Sequence, residues 1–264
     1  MSIFDRLLRR EPKPEADADA VMAEALAVGQ AGNYEAALAL WGPLAHAGVP
    51  RAQNNVGACF AEGLGVAQDL GLAVRWLTLA AEAGDPVGQR NLAALYFRGD
   101  GVEQDTIRAA SLYRSAAEQG DGPAQDMLSW LLLEGEEIQP DPVEARRWAE
   151  AAAAQGIASS MTRIGMLHHN ALGTERNSAE AARWWRMGAE RGDADGQAML
   201  GAALVLGSGV ERDPAAGLEW LLRAQAGASA LCAPFFAAAR AALSPEEALE
   251  AEHRASLPLP EPAP

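Results

Sequence analysis

One pattern of glycine, alanine and large apolar residues returns every 36 residues, five times in succession, between Arg51 and Gly227. Adding 36 to Val56 gives Leu92, Leu128, Ile164 and Leu200, and 20 positions further along stand Trp76, Leu112, Trp148, Trp184 and Trp220. Ala73, Ala109, Ala145 and Ala181 recur between them, with Gly217 closing the series, and Ala80-Ala81, Ala116-Ala117 and Ala152-Ala153 follow. Gly84, Gly120, Gly156 and Gly192 end each unit, while Asp69, Asp105, Asp141, Asn177 and Asp213 divide it. A unit of this size cannot cover its own apolar faces, whereas stacked neighbours cover each other, so a fixed period of this length points to a solenoid.

Each unit reads as two helices. The first half carries apolar residues at helical spacing, such as Leu92, Leu95 and Tyr96, and stops at Gly99 and Gly101, where left-handed backbone is open to glycine. The second half opens with Asp or Asn as N-cap, twice followed by proline at the first helical position (Pro142, Pro214). Asp141 with Glu144 and Asn177 with Glu180 have the spacing of capping boxes. The expected class is all-α: a right-handed α/α solenoid of helix-turn-helix repeats. The recurrent Trp is expected to wedge between helices, with Trp148→Ala costing about 3–5 kcal/mol.

The run Gly88-Gln-Arg-Asn-Leu-Ala-Ala-Leu-Tyr-Phe-Arg-Gly-Asp-Gly-Val-Glu-Gln-Asp105, followed by Ala109 and Ala116-Ala-Glu-Gln-Gly120, closely resembles the Sel-one-like repeat, a relative of the tetratricopeptide repeat. Three departures stand out: Glu137 replaces the second loop glycine of the third unit, Ala171 the first of the fourth, and Gly188 the leading alanine of the fourth. The resemblance implies a non-catalytic interaction scaffold or adaptor whose first helices line a concave groove for a peptide or partner helix. The organisation that follows is a short amphipathic segment with an acidic linker (1–19), an atypical tetratricopeptide-like first repeat (20–50), five Sel-one-like repeats (51–228), a capping helix pair (229–256) and a Pro-rich tail (257–264).

The net charge of −15 argues against nucleic acid as partner, since phosphate contacts need a basic patch. Cys59 and Cys232 stand almost five repeats apart, out of reach of an intramolecular disulfide. Met1–Arg10 lacks the apolar run of a signal peptide, and a reduced, bacterial cytoplasmic setting is expected, with the protein a monomer. In the same ten residues Ile3, Phe4, Leu7 and Leu8 share one helical face while Arg6, Arg9 and Arg10 carry positive charge. That combination leaves open a docking segment or a peripheral contact with the inner membrane, and hence a membrane-adjacent scaffold.

No catalytic, cofactor-binding or metal site is expected. Gly63-Leu-Gly65, Gly99-Asp-Gly101 and Gly207-Ser-Gly209 lack a third glycine and follow helices, so they read as repeat turns. His168 and His169 diverge by about 100° on a helix and cannot share a metal; His168 occupies the slot of Phe60, Tyr96, Leu132 and Leu204. A contrasting expectation is a hydrolase acting on cell-wall or β-lactam-type substrates, as proposed for disulfide-rich relatives of the resembled family; the missing cysteine pairs weigh against it. The candidate partner groove comprises three slots of the first helices. The first holds Asn55, Asn91, Met127, Arg163 and Met199; the second Trp130 and Met166; the third Phe97, Leu133, His169 and Val205. Aromatic and Met side chains beside Asn and Arg suit an extended peptide or a helix. The competing expectation is that first helices are apolar nearly all round, which would put Trp130 and Phe97 in the core.

Overall fold

The polar residue that divides each unit is an N-cap. The carboxylate or amide oxygens of Asp69, Asp105, Asp141, Asn177 and Asp213 each accept from the backbone N–H three residues on, at 2.8–3.0 Å. The same residues donate their own N–H backwards, to the carbonyls of Phe60, Tyr96, Leu132, His168 and Leu204, at 2.9–3.0 Å. One residue therefore starts the second helix and ties it to the end of the first, in all five units.

A computed structural model of the chain describes residues 18–259, and these are all-helical, with no strand among them. The α-helices are α1 (Ala18–Gln30), α2 (Tyr34–His46), α3 (Pro50–Glu62), α4 (Leu70–Glu82), α5 (Pro86–Arg98), α6 (Thr106–Glu118) and α7 (Gly122–Glu134). They continue with α8 (Pro142–Ala154), α9 (Ala158–Asn170), α10 (Ser178–Glu190), α11 (Ala194–Leu206) and α12 (Pro214–Ala226). A 3-10 helix (Ala230–Phe235), α13 (Phe236–Ala241) and α14 (Pro245–Ser256) close the chain. In four of the repeats the pairs α3/α4, α5/α6, α9/α10 and α11/α12 pack on one another, and the second helix of one pair packs on the first of the next at α4/α5, α8/α9 and α10/α11. This is the α/α solenoid class. Two compact units divide between Ala124 and Gln125, inside α7. The segment Met1–Arg10, with its membrane or docking expectation, lies outside the described residues, as does the end of the Pro-rich tail.

In the first unit the core is built from Leu38, Trp41, Val56, Phe60, Leu77, Leu92 and Leu95 around the buried alanines Ala37, Ala52 and Ala73. In the second unit Trp185, Leu200 and Leu204 pack on Ala181 and Ala189, and Val205, Leu218 and Leu221 pack on Cys232 of the closing 3-10 helix.

The Trp slot behaves differently from the sequence expectation. Trp76 and Trp148 are buried, but Trp184 and Trp220 are only partly so. The slot at the centre of the core is the next one along, Leu77, Tyr113, Ala149, Trp185 and Leu221, none more than 3% exposed. The facing slot of the first helix holds only small residues, Gly57, Ala93, Ser129, Gly165 and Gly201, which leaves room for these side chains. A Cβ on Gly57 would stand 2.8 Å from Leu77 Cγ, one on Gly165 2.5 Å from the Trp185 ring, and one on Gly201 2.9 Å from Leu221 Cγ. Ser129 occupies that facing slot in the unit whose second helix offers only Ala149.

The capping boxes expected at Glu144 and Glu180 do not form. Glu144 instead accepts from the Trp148 indole N–H at 3.2 Å and from Arg147 at 3.1 Å, and Glu180 pairs with Arg183. The reciprocal box closes at Ser244 and Glu247, opening α14. The departures noted in the loops also have local causes. Ala171 takes the left-handed conformation that Gly63, Gly99 and Gly207 hold in its slot, at φ 58°. Gly188 makes room for Thr162, whose Oγ1 would lie 2.4 Å from a Cβ there.

Candidate functional site

The exposed side of the first helices is built over a row of inter-repeat ties, which the sequence reading did not anticipate. Buried Gln53, Gln89 and Gln197 donate their side-chain amides to the carbonyls of Ala45, Ala81 and Ala189, at 3.1–3.3 Å. Each thereby adds a second donor to a carbonyl at the C-terminal end of the preceding helix, which also accepts from the backbone N–H of Gly48, Gly84 or Gly192 at 3.0–3.1 Å. In the fourth repeat Met161, 2% exposed, fills the same slot with apolar volume.

A second row is ionic. Arg51 reaches Asp85 at 2.8 Å and Arg90 reaches Asp121 at 2.9 Å. Thr162 Oγ1 donates to Asp193 at 2.6 Å, and Asp193 also caps α11 through the Gly196 N–H. Asp126 accepts from Ser160 at 2.5 Å and from Arg163 at 2.6 Å, so that α7 and α9 are held side by side. These pairs join residues 31 to 37 apart, about one repeat period. Polar residues in the slot before each apolar core position were the only sequence signal for them.

The candidate groove residues sort onto this scaffold. In the first unit Asn91 donates to Asn54 Oδ1 at 2.8 Å, and Asn54 donates to Asn55 Oδ1 at 3.1 Å, which links α3 to α5 by an amide chain. Both candidate asparagines therefore serve the stack. Phe97 is partly buried on the same face, where its backbone carbonyl accepts from Gln104 at 2.9 Å.

In the second unit Met127, Trp130, Leu133, Arg163, Met166, His169 and Met199 are all partly buried, neither core nor fully solvated. Arg163 is held by Asp126 and so adds no uncompensated charge. The His169 ring lies 5.4 Å from Trp185, tilted by 51°. Met166 and Met199 rest on the Trp185–Leu200 cluster. One candidate belongs elsewhere: Val205 is 3% exposed, fills the space left by Gly217 and packs under the closing 3-10 helix, so it is core. Its burial explains why the small-residue series ends in glycine, since a Cβ at position 217 would stand 2.6 Å from Val205 Cγ2.

The face is bordered at the C-terminal end of α7 by Glu134, Glu136 and Glu137, all exposed, and at the ends of α9 and α11 by exposed Leu172 and Leu206. Among the described residues no group of three or more His, Cys, Asp or Glu is arranged to hold a metal, and no helix is long and apolar enough to cross a membrane. The resolved titration shifts lie away from the face. Burial pushes the Cys59 thiol up to about 11 and the Tyr113 hydroxyl up to about 12. The hydrogen bond from Arg183 holds Glu180 below the usual carboxylate range.

The Sel1 repeat model matches five consecutive segments, residues 50–85, 86–121, 122–157, 158–193 and 194–224. Among solved structures, the chain is similar to a Sel1 repeat protein from Oxalobacter formigenes, with a TM-score of 0.78 and 26% identity over 92% of this chain and 99% of that one. It is also similar to c5321, a protective antigen of uropathogenic Escherichia coli displaying an SLR fold, with a TM-score of 0.76 and 28% identity over 97% of this chain. The chain spans 56% of the length of c5321. No curated protein sequence matches significantly.

Proposed function

Because the chain belongs to the Sel1 repeat family, whose repeats generally mediate protein–protein interaction, we propose that it is a non-catalytic scaffold that presents the face of α7, α9 and α11 to a peptide or helix of a partner. The observation that carries this reading is the contrast between repeats of one unit. Val205 is sealed beneath the closing 3-10 helix, whereas Met127, Trp130, Leu133, Met166 and Met199 keep part of their surface exposed. Methionine side chains adapt to irregular apolar partners, and a tryptophan among them supplies the area that anchors an interface. The polar frame comes from Arg163 and the glutamates at the end of α7. The net charge of −15 favours a protein occupant over nucleic acid.

The test is crosslinking in a lysate of the source cells, comparing wild type with a Phe97→Glu, Trp130→Glu double variant whose helicity is checked by circular dichroism. Loss of captured partners with the fold intact supports the face as the binding surface. Retention of every partner by the folded variant moves binding to the termini or the second helices.

A further inference from the structure

The face of α7, α9 and α11 suits one kind of occupant better than another. Resting on that face as the binding surface, we infer that it receives an amphipathic helix of another protein, about three turns long, with lysine or arginine at one end. The occupant's secondary structure follows from what the face leaves unbonded. Along the first helices the backbone N–H and C=O groups are taken by helical hydrogen bonds. The polar side chains between the helices are taken by inter-repeat ties: Asp126 accepts from Ser160 and Arg163, and Asp193 accepts from Thr162. Over Met127, Trp130, Met166 and Met199, an extended segment would therefore bury backbone polar groups that find no partner. A helix arrives with its backbone bonds already closed and presents only side chains.

Charge is spread unevenly over the same face, all of it within the second compact unit. On α7, Met127 and Trp130 are followed along one stripe by Glu134, and Glu136 and Glu137 extend the acid. All three glutamates are exposed. The last carbonyls of α7 add partial negative charge at this edge. On α11 the corresponding stripe runs from Met199 to Leu206, which is 60% exposed. Between them Arg163 is neutralised by Asp126 at 2.6 Å, so it does not repel a cationic occupant. One edge thus matches positive charge, the other an aliphatic side chain, and the methionines between them adapt to apolar side chains spaced at i, i+3 or i+4, and i+7. Two helix spacings of roughly 8–10 Å each separate α7 from α11. At 1.5 Å per residue, about 11–13 helical residues cover that span.

The experiment selects phage-displayed random peptides of about 16 residues, long enough for the helix and its flanks, on the full chain. Enriched sequences are synthesised, and their affinity is measured by fluorescence anisotropy. They are expected to carry apolar residues at i, i+3 or i+4, and i+7, with Lys or Arg clustered at one end. A proline placed at the centre of an enriched peptide should weaken binding about tenfold or more, because it breaks the helix. The Glu134→Gln, Glu136→Gln, Glu137→Gln variant should weaken it about tenfold, through the loss of three exposed charge pairs. Met199→Glu and Trp130→Glu, each checked by circular dichroism, should weaken it at least as much. The glutamine variant changes only solvated side chains, so it remains decisive where an apolar variant fails to fold.

Enriched peptides that lack helical spacing, that are acidic, or that tolerate the central proline overturn the inference. So does equal affinity for wild type and the glutamine variant, and so does a library from which nothing enriches. The scaffold reading is decided separately, by capture from the lysate. If the Phe97→Glu, Trp130→Glu variant loses its partners while the selected peptides are extended or acidic, the face still binds a partner and only the helix assignment falls.

Discussion

The close fit of Trp185 against Gly165 can be tested by a double-mutant cycle. Trp185 is 2% exposed, and truncation to alanine should cost about 3–5 kcal/mol, from lost burial and the cavity left behind. Gly165→Ala puts a methyl group 2.5 Å from the indole Cδ1 and Nε1 and 3.0 Å from the Ala181 carbonyl oxygen. The ring is fixed by the surrounding core, so the helices must separate by several tenths of an ångström. Overpacking of this kind costs about 1–3 kcal/mol. Against it stands the gain of about 1 kcal/mol from replacing a mid-helix glycine by alanine. A net loss of roughly 0–2 kcal/mol is expected for the single variant.

With Trp185 already truncated the clash with the ring is gone, only the carbonyl contact remains, and Gly165→Ala should become neutral or stabilising. The coupling energy should therefore exceed about 1 kcal/mol, above the 0.3–0.5 kcal/mol scatter of independent sites. Urea unfolding followed by circular dichroism measures all four corners, with hydrogen exchange of α9 and α10 amides as a local check, because repeat arrays can unfold in parts. Additivity within about 0.5 kcal/mol would refute the idea that the two slots are sized against each other.

Thr162→Val keeps the shape but removes the hydroxyl that donates to Asp193, and should cost about 1–2 kcal/mol in the same urea assay, more than Thr162→Ser. Ala171→Gly should stabilise by about 0.5–1 kcal/mol, because the native φ of 58° suits glycine, and a raised melting midpoint is the readout. Cys59 should resist alkylation in the folded state. Burial raises its pKa to about 11, above the ordinary thiol value of 9.0, so its contribution to stability is complete below pH 9 and is lost as pH rises to about 11. The melting temperature of wild type should therefore drop more steeply over that window than that of Cys59→Ala. Arg163→Met removes the cation from the Asp126 carboxylate, which is 17% exposed and keeps its bond from Ser160, and should destabilise by about 1–3 kcal/mol, whereas Met199→Leu in the same slot should stay within about 1.5 kcal/mol.

What the sequence disclosed and what it hid have a common physical origin. Helix ends were legible because their chemistry is local: Asp69 or Asp213 can cap only a helix that begins beside it, and glycine at 63, 99 or 207 marks a left-handed residue. Recurring identity misled at the core. Tryptophan recurs at 76, 148, 184 and 220, yet the slot with the deepest burial holds Leu, Tyr, Ala, Trp and Leu, because close approach there depends on the small residue of the facing helix rather than on one recurring side chain. Glu144 and Glu180 had the spacing for capping boxes, but each has an arginine three residues on that competes for the carboxylate. Val205 could not be told from its register mates Phe97, Leu133 and His169, since its burial depends on a 3-10 helix 25 residues and more downstream.

The ties also explain why the apolar groove residues fall where they do. Asn54 and Asp126 act as acceptors for the following repeat, and there the groove slot must hold a donor, Asn91 and Arg163. Arg90 and Thr162, at the same register as Asn54 and Asp126, act instead as donors to Asp121 and Asp193. One period on from each of these donors, the groove slot is released from hydrogen bonding and holds methionine, Met127 and Met199. The alternation of polar and apolar residues along the slot therefore follows from which of two bonding patterns each repeat uses to hold its neighbour. Surface left over from that structural duty is free to vary with a partner, and in the second unit it is Met127, Trp130, Met166 and Met199 that carry it. A substitution in the slot should then act on stability or on binding according to the pattern beneath it, which makes Arg163 a residue of the scaffold and Met199 a residue of the proposed binding face.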